Sequence, residues 1–341
     1  MTRDASLPDF IGIGAQKAGT TWLSHNLESH PEIWMPKNKE LHYFDDRIND
    51  SRNPIPRIYG KLTGSDHASR RWRRQVKRRL RAHWNRSPGR DLLWDLKYYA
   101  GAPNDGWYVS LFAPGRGKVK GEITPAYSVL PLSDVAHVHN LAPEARIIFM
   151  LRNPIERAWS QFVMRLDRSG QREIGLTRYK KLLRNVEREG SRSRTNYLQA
   201  LENWTAFYPE ERIFVGFLED IHFHPEQLLA NVYWFLGVDP SFKPRRIGGK
   251  VHARSAGRMT PDAAVYLAGL YRKELSRLSE HFGGYASFWL YCAEKLVESV
   301  SEEEYLPYPL WESAIWDEWI KASKGTPGCQ SDPLSSAETA F

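Results

Sequence analysis

Three groups of residues in this sequence suit chemistry on a phosphate-like group. They are Lys17 between two glycines, Glu40 two residues from His42, and Arg152 at the end of an apolar run. Gly14 and Gly19 keep the spacing of the nucleotide loop G-x-x-x-x-G-K-[ST], but Thr20 stands where that motif has its lysine. The only lysine of the loop, Lys17, lies three residues upstream of Thr20. A lysine moved in this way points to a phosphate-like donor other than ATP. An ordinary Gly-rich turn between a strand and a helix is the plain alternative. Lys39, Glu40 and His42 fall within four residues of one another in MPKNKELHYFD, and Glu40 beside His42 is a candidate acid/base pair in an aromatic segment. Arg152 can clamp a phosphate with its planar fork, and Ser160, two turns into the next helix, can add a hydroxyl. A purely structural Arg152 is the plain alternative there.

The elements that must position these groups read as an alternation of strands and helices. Phe10–Gly14 is a short apolar strand, and Thr20, Trp22, Leu23 and Leu27 begin a helix. A strand, a glycine loop and a helix N-terminus together make an anion site, because the first-turn amides are free and the helix dipole favours negative charge. Lys118–Ile123 and Arg146–Leu151 read as further strands. Asn153 caps the helix that follows, with Pro154 at its first position. Strand Arg212–Phe217, a helix closed by Gly237, a basic loop from Lys243 to Arg258 and a long helix from Pro261 complete the alternation. Residues 35–45 read as a strand or an ordered loop. The expected fold class is α/β: a P-loop-like parallel β-sheet flanked by helices on both faces, as a single domain with an aromatic C-terminal helical extension.

With 341 residues the chain can bury a large core, and a net charge of +8 points to anionic partners. Two distant cysteines, Cys292 and Cys329, form no disulfide framework or zinc motif, which suits a reducing compartment. The first ten residues lack the apolar core of a signal peptide, and no run approaches membrane-spanning length. The expected location is therefore cytoplasmic, peripheral at a membrane if the basic segment binds one. That segment runs from Arg70 to Arg90, with ten Lys or Arg and no acid, and Trp72, Val76, Leu80 and Trp84 recur at every fourth residue. This is the pattern of an amphipathic basic helix. It either docks its apolar stripe on the core or contacts an anionic membrane or polyanion. No nucleic-acid module accompanies it, so nucleic acid is not expected. The expected divisions are an α/β domain over 8–284 with the basic insert at about 70–90, an aromatic helical extension over 285–321 and a disordered tail over 322–341.

Taken together, IGAQKAGTTWL, KELHYFD, GEITPAY, LRNPIERAWSQF and SAGRMTP resemble the sulfotransferases that use 3′-phosphoadenosine 5′-phosphosulfate (PAPS). The match is closest to the heparan sulfate type and its bacterial relatives, and runs from about Phe10 to the helix after Thr260. The resemblance implies that Lys17, Ala18, Gly19, Thr20, Thr21 and Trp22 hold the 5′-phosphosulfate. Arg152 and Ser160 would hold the 3′-phosphate, and Gly257 and Arg258 would add to that clamp. It also implies Glu40 as catalytic base, Lys17 as stabiliser of the leaving phosphate oxygen, and His42 as a residue that orients the acceptor or shares the proton work. No metal is implied. The acceptor would be an alcohol or amine of a glycan, lipid or small metabolite. Ile123 replaces the lysine of the family's GEKTPAY, so another cation, Lys39 or Lys97, would take over its task. Ala256 replaces the lysine of SKGR. Two other readings compete: a P-loop-type nucleotide kinase or ATPase, and a non-enzymatic polyanion- or membrane-binding protein.

Overall fold

The computed structural model describes residues 7–45, 54–84, 90–169, 192–245, 247, 259–298 and 305–324. Five strands form one sheet: β1 (Phe10–Gly14), β2 (Ile33–Trp34), β3 (Val119–Ile123), β4 (Arg146–Leu151) and β5 (Ile213–Phe217). Their order is β2-β3-β1-β4-β5 and every pairing is parallel. Each parallel connection must cross over the sheet, so helices flank it. Here β1 leads to α1 (Thr20–Ser29) and β4 to α7 (Pro154–Ser169), with α6 (Leu132–Leu141) between β3 and β4.

From β1 the chain goes first to the edge strand β2, returns to β3 beside β1, and then crosses to β4 and β5 on the other side. The crevice at the carboxyl end of β1 is the position where open α/β sheets bind ligands. All five residues of β1 are buried, and so are the last five of β4. At Gly12 a Cβ would lie 2.6 Å from the side chain of Ile123, so β1 and β3 pack more closely than any larger residue at Gly12 would allow.

Between β2 and β3 the chain forms α2 (Pro54–Thr63), α3 (His67–Trp84), α4 (Arg90–Ala100) and α5 (Asp105–Ser110). The basic run is therefore helical over 70–84, as its four-residue spacing predicts. Trp72 sets its ring edge-on to Tyr99 of α4 at 6.2 Å, so the apolar stripe docks at this point. Arg73 turns its guanidinium to the carbonyls of Lys61, Leu62 and Gly64 at 2.7–2.9 Å, closing the C-terminal end of α2. Arg70, Arg74, Lys77 and Arg78 stay exposed.

On the β5 side lie α8 (Tyr197–Thr205), α9 (Leu218–Phe223) and α10 (Pro225–Leu236), followed by α11 (Pro261–Phe282), α12 (Gly284–Glu298) and α13 (Ala314–Lys324). The aromatic C-terminal part docks on this frame: Trp316 stacks on Phe223 at 5.1 Å, and Trp319 packs against Phe288. Among the described residues no helix is long and apolar enough to cross a membrane. Gly257, Arg258, Ala256, Cys329 and the expected tail beyond residue 324 lie outside the described residues.

Candidate active site

The loop after β1 turns into α1 through two left-handed residues, Lys17 at φ 75° and Gly19 at φ 80°. Gly19 is the N-cap of α1, and a Cβ there would meet Ile221 of α9 at 2.3 Å. Glycine is required on both counts. No side chain caps α1, and its first turn carries no acid. The positive end of the helix dipole is left to whatever anion enters the loop. Lys17 is half-buried, with Nζ 4.0 Å from Met164 Sδ of α7. Thr20 is buried, whereas Thr21 accepts a 2.7 Å hydrogen bond from Lys39 Nζ. Trp22 donates its indole N–H to the Ile247 carbonyl at 2.8 Å.

That bond from Lys39 brings the second group of candidates to the first. Lys39 Nζ lies 3.6 Å from Glu40 Oε1, and His42 Nε2 lies 3.4 Å from Glu40 Oε2. On its other side, His42 Nδ1 lies 2.8 Å from Asp45 Oδ2. Burial works against a charge on His42. The hydrogen bonds and charges of Asp45 and Glu40 outweigh it and raise the imidazole to about 10. His42 is thus an imidazolium at neutral pH. Burial lowers the Lys39 ammonium from its ordinary value, against the pull of Glu40. The segment is an ordered loop rather than a strand. Glu40 and His42 both have left-handed backbones, at φ 67° and 56°.

Such conformations cost on the order of 1 kcal/mol each for a residue with a Cβ and need support from their surroundings. The support comes from the end of β3. Leu41, between the two strained residues, is buried, and its N–H donates to Thr124 Oγ1 at 2.9 Å and to Glu122 Oε2 at 3.3 Å. Tyr43 N–H donates to the Tyr127 hydroxyl at 3.0 Å. Glu122 is itself buried and accepts from Tyr108 at 2.7 Å, Tyr127 at 3.2 Å and Thr124 at 2.6 Å. Burial pushes its carboxyl above the ordinary range, and these donors pull it back. Ile123, next along the strand, is buried against Gly12. Of the two lysines considered for the task of the family lysine, Lys39 reaches the site. Lys97 is exposed on α4, with its Nζ 3.5 Å from the Ser110 carbonyl.

Arg152 leaves the end of β4 beside the same loop. Its Nη1 donates to the Lys17 carbonyl at 3.0 Å, and its Nε and Nη2 donate to Glu156 Oε2 at 3.3 and 3.1 Å. Asn153 caps α7 through its side chain, accepting the Ile155 N–H at 3.0 Å. Tyr308 lies against Arg152, which donates to the phenol oxygen at 2.5 Å, and the phenol in turn donates to the Glu156 carbonyl at 3.4 Å. The structure therefore gathers Lys17, Gly19, Thr21, Glu40, His42 and Arg152 around the carboxyl ends of β1 and β4, with Ser160 on α7.

Residue-by-residue reading missed Asp45, Glu122, Thr124, Glu156 and Tyr308. Glu122 and Thr124 had a signal in GEITPAY; Tyr308 had none. A groove between α8 and α11, lined by Leu198, Glu202, Arg277 and Glu280, shares no residue with this cluster.

A glycine-bearing loop between strand and helix at the centre of a parallel sheet, with an arginine at the end of the neighbouring strand, defines a P-loop-like α/β protein. The profile of the Sulfotransferase family matches residues 8–243, and the chain belongs to that family. Human bifunctional heparan sulfate N-deacetylase/N-sulfotransferase 2 is 22% identical over 318 residues, covering 83% of this chain and 31% of that protein. The membrane-associated sulfotransferase kil1 of Dictyostelium discoideum is 26% identical over 156 residues, covering 46% of this chain and 22% of that protein. The chain thus spans less than a third of the length of these two relatives. A sulfotransferase from Alicyclobacillus acidocaldarius superposes with a TM-score of 0.53 at 22% identity, covering 80% of this chain and 94% of the other, which shows the shared fold.

Proposed function

We propose that this chain transfers the sulfuryl group of PAPS to a hydroxyl or amine of a glycan, lipid or small metabolite. One observation carries the reading. Among the described residues, the three non-glycine residues with a left-handed backbone are Lys17, Glu40 and His42. Backbone strain of this kind persists where the surroundings enforce it, and it concentrates at active sites.

In this reading the amides of 17–22 and the Lys17 ammonium hold the 5′-phosphosulfate, and Arg152 and Ser160 hold the 3′-phosphate that ATP lacks. Gly257 and Arg258 are assigned to the same clamp by their motif alone. The acceptor oxygen or nitrogen forms its bond to sulfur as the bond from sulfur to the phosphate oxygen breaks. The acceptor proton passes to the Glu40 carboxylate. Lys17 stabilises the charge that develops on the leaving phosphate oxygen. Lys39 and the His42 imidazolium flank the Glu40 carboxylate and fix its orientation. Lys39 also touches Thr21 of the donor loop, so it takes the bridging role left open by Ile123. The exposed cations of α3 supply an accessory contact for an anionic acceptor or membrane surface.

Calorimetry with adenosine 3′,5′-bisphosphate and with Mg-ATP tests the donor. Tighter binding of the bisphosphate is expected, and tighter binding of Mg-ATP would return the chain to the kinase or ATPase reading.

A further inference from the structure

Arg152 has five N–H donors, and four are engaged. Nε and one N–H of Nη2 bond Glu156, the other N–H of Nη2 bonds the Tyr308 hydroxyl, and Nη1 bonds the Lys17 carbonyl. A phosphate cannot take a two-pronged grip on this guanidinium while all four remain. The Glu156 bonds lie on the buried side of Arg152, since Glu156 is 1% exposed. The Lys17 carbonyl belongs to the donor loop. The partner that can leave is Tyr308, whose phenol accepts from Arg152 and donates to the Glu156 carbonyl at 3.4 Å. That oxygen occupies the place on the Arg152 fork that a 3′-phosphate oxygen would take.

Tyr308 belongs to a short tether. Leu310 N–H donates to Glu156 Oε1 at 2.6 Å, so one carboxylate holds both Arg152 and the segment that carries Tyr308. Two residues before Tyr308, Leu306 exchanges backbone hydrogen bonds with Met259, at 2.8 and 3.2 Å. Met259 directly follows Arg258, which the proposed function assigns to the 3′-phosphate clamp.

We propose that Tyr308 is a specificity residue of the donor site. It is a neutral phenol that stands in for the 3′-phosphate and must be displaced by it, so that donor binding releases residues 305–310 from Arg152. This inference rests on the donor assignment above. The exchange replaces a neutral acceptor on Arg152 by a doubly charged one, and charge-assisted bonds are the stronger. A nucleotide without the 3′-phosphate has nothing to offer Arg152 in return for the phenol. Because the tethered form is not competent for the phosphate, it weakens apparent affinity in proportion to its population.

The test compares wild type and Tyr308→Phe by calorimetry with adenosine 3′,5′-bisphosphate and adenosine 5′-monophosphate. The variant keeps the ring and loses the hydroxyl that competes. It should bind the bisphosphate about tenfold more tightly, with the monophosphate changed much less. Unchanged or weaker binding of the bisphosphate would overturn the proposal and make Tyr308 a bystander or a ligand of the phosphate. In wild-type protein saturated with the bisphosphate, amide exchange at Leu306 and Leu310 should speed up. Slower exchange there would mean that the segment closes over the nucleotide, against the proposal. Wild type that fails to prefer the bisphosphate to the monophosphate would sink the donor assignment itself, and this inference with it. A clear preference without the gain in Tyr308→Phe would sink the inference alone.

Discussion

The carboxylate of Glu122 accepts the backbone N–H of Leu41 across 81 positions of sequence, at 3.3 Å. Leu41 lies between Glu40 and His42, so this bond and its neighbour from Thr124 hold the loop that presents the proposed base. If Glu40 is the base, as proposed, Glu122 is a positioning residue that acts on the acceptor proton only through where it places Glu40. Glu122→Gln turns an amide N–H toward groups that all donate, and should cost about 1–3 kcal/mol of stability. It should lower kcat by about a hundredfold while leaving the affinity for adenosine 3′,5′-bisphosphate unchanged. Equal losses in kcat and donor affinity would instead indicate general collapse of the site.

Glu40→Gln should remove the base and leave the donor loop intact. Turnover should drop by about 10²- to 10⁴-fold, with donor affinity preserved. Normal turnover in this variant would exclude Glu40 as the base.

The charge on His42 sets a pH window. Its folded value, about 10, lies above the ordinary value of 6.5, because Asp45 and Glu40 outweigh burial. The stabilisation it brings is complete below about pH 6.5 and is lost as pH rises toward 10. The difference in melting temperature between wild type and His42→Gln should therefore shrink steadily from pH 6.5 to 10. Titration of the His42 ring followed by NMR checks the same point. A midpoint near 6.5 would show that the pairing with Glu40 and Asp45 does not hold in solution.

Much of this arrangement was legible in the sequence, for physical reasons that differ from element to element. The strands β1 and β4 are buried throughout most of their length, so they read as apolar runs. Gly19 read as a turn residue because its backbone is left-handed. The strand β2 leaves no mark in the sequence, because two residues, Ile33 and Trp34, carry no period. Helices α2 and α4 to α6 were not resolved from the sequence either. GEITPAY marks the segment of Glu122 but not its role, because a single acid in a strand looks the same whether it faces water or holds a loop. Tyr308 was hidden for a different reason. It meets Arg152 from 156 positions away, and no local pattern records a contact of that range.

Beneath Arg152 the fold buries a second carboxyl, Glu219. It accepts the Trp289 indole N–H at 2.6 Å, and its Oε2 has no partner among the described residues. Burial, with repulsion from Glu156, raises it from 4.5 to about 8. The folded protein therefore keeps a proton that the unfolded chain releases. Stability should fall as pH rises from about 4.5 to 8 and then level off, by at most about 5 kcal/mol from this group. Glu219→Gln should flatten that decline in melting temperature. An unchanged pH profile would mean that Glu219 ionises without penalty.

The central claim is a donor carrying phosphate at its 3′ position, gripped by Arg152. Its most direct measurement is a calorimetric cycle with adenosine 3′,5′-bisphosphate and adenosine 5′-monophosphate on wild type and Arg152→Ala. The account predicts that wild type prefers the bisphosphate and that Arg152→Ala loses most of that preference while keeping its affinity for the monophosphate. Equal weakening of both nucleotides, or no preference in wild type, would contradict it.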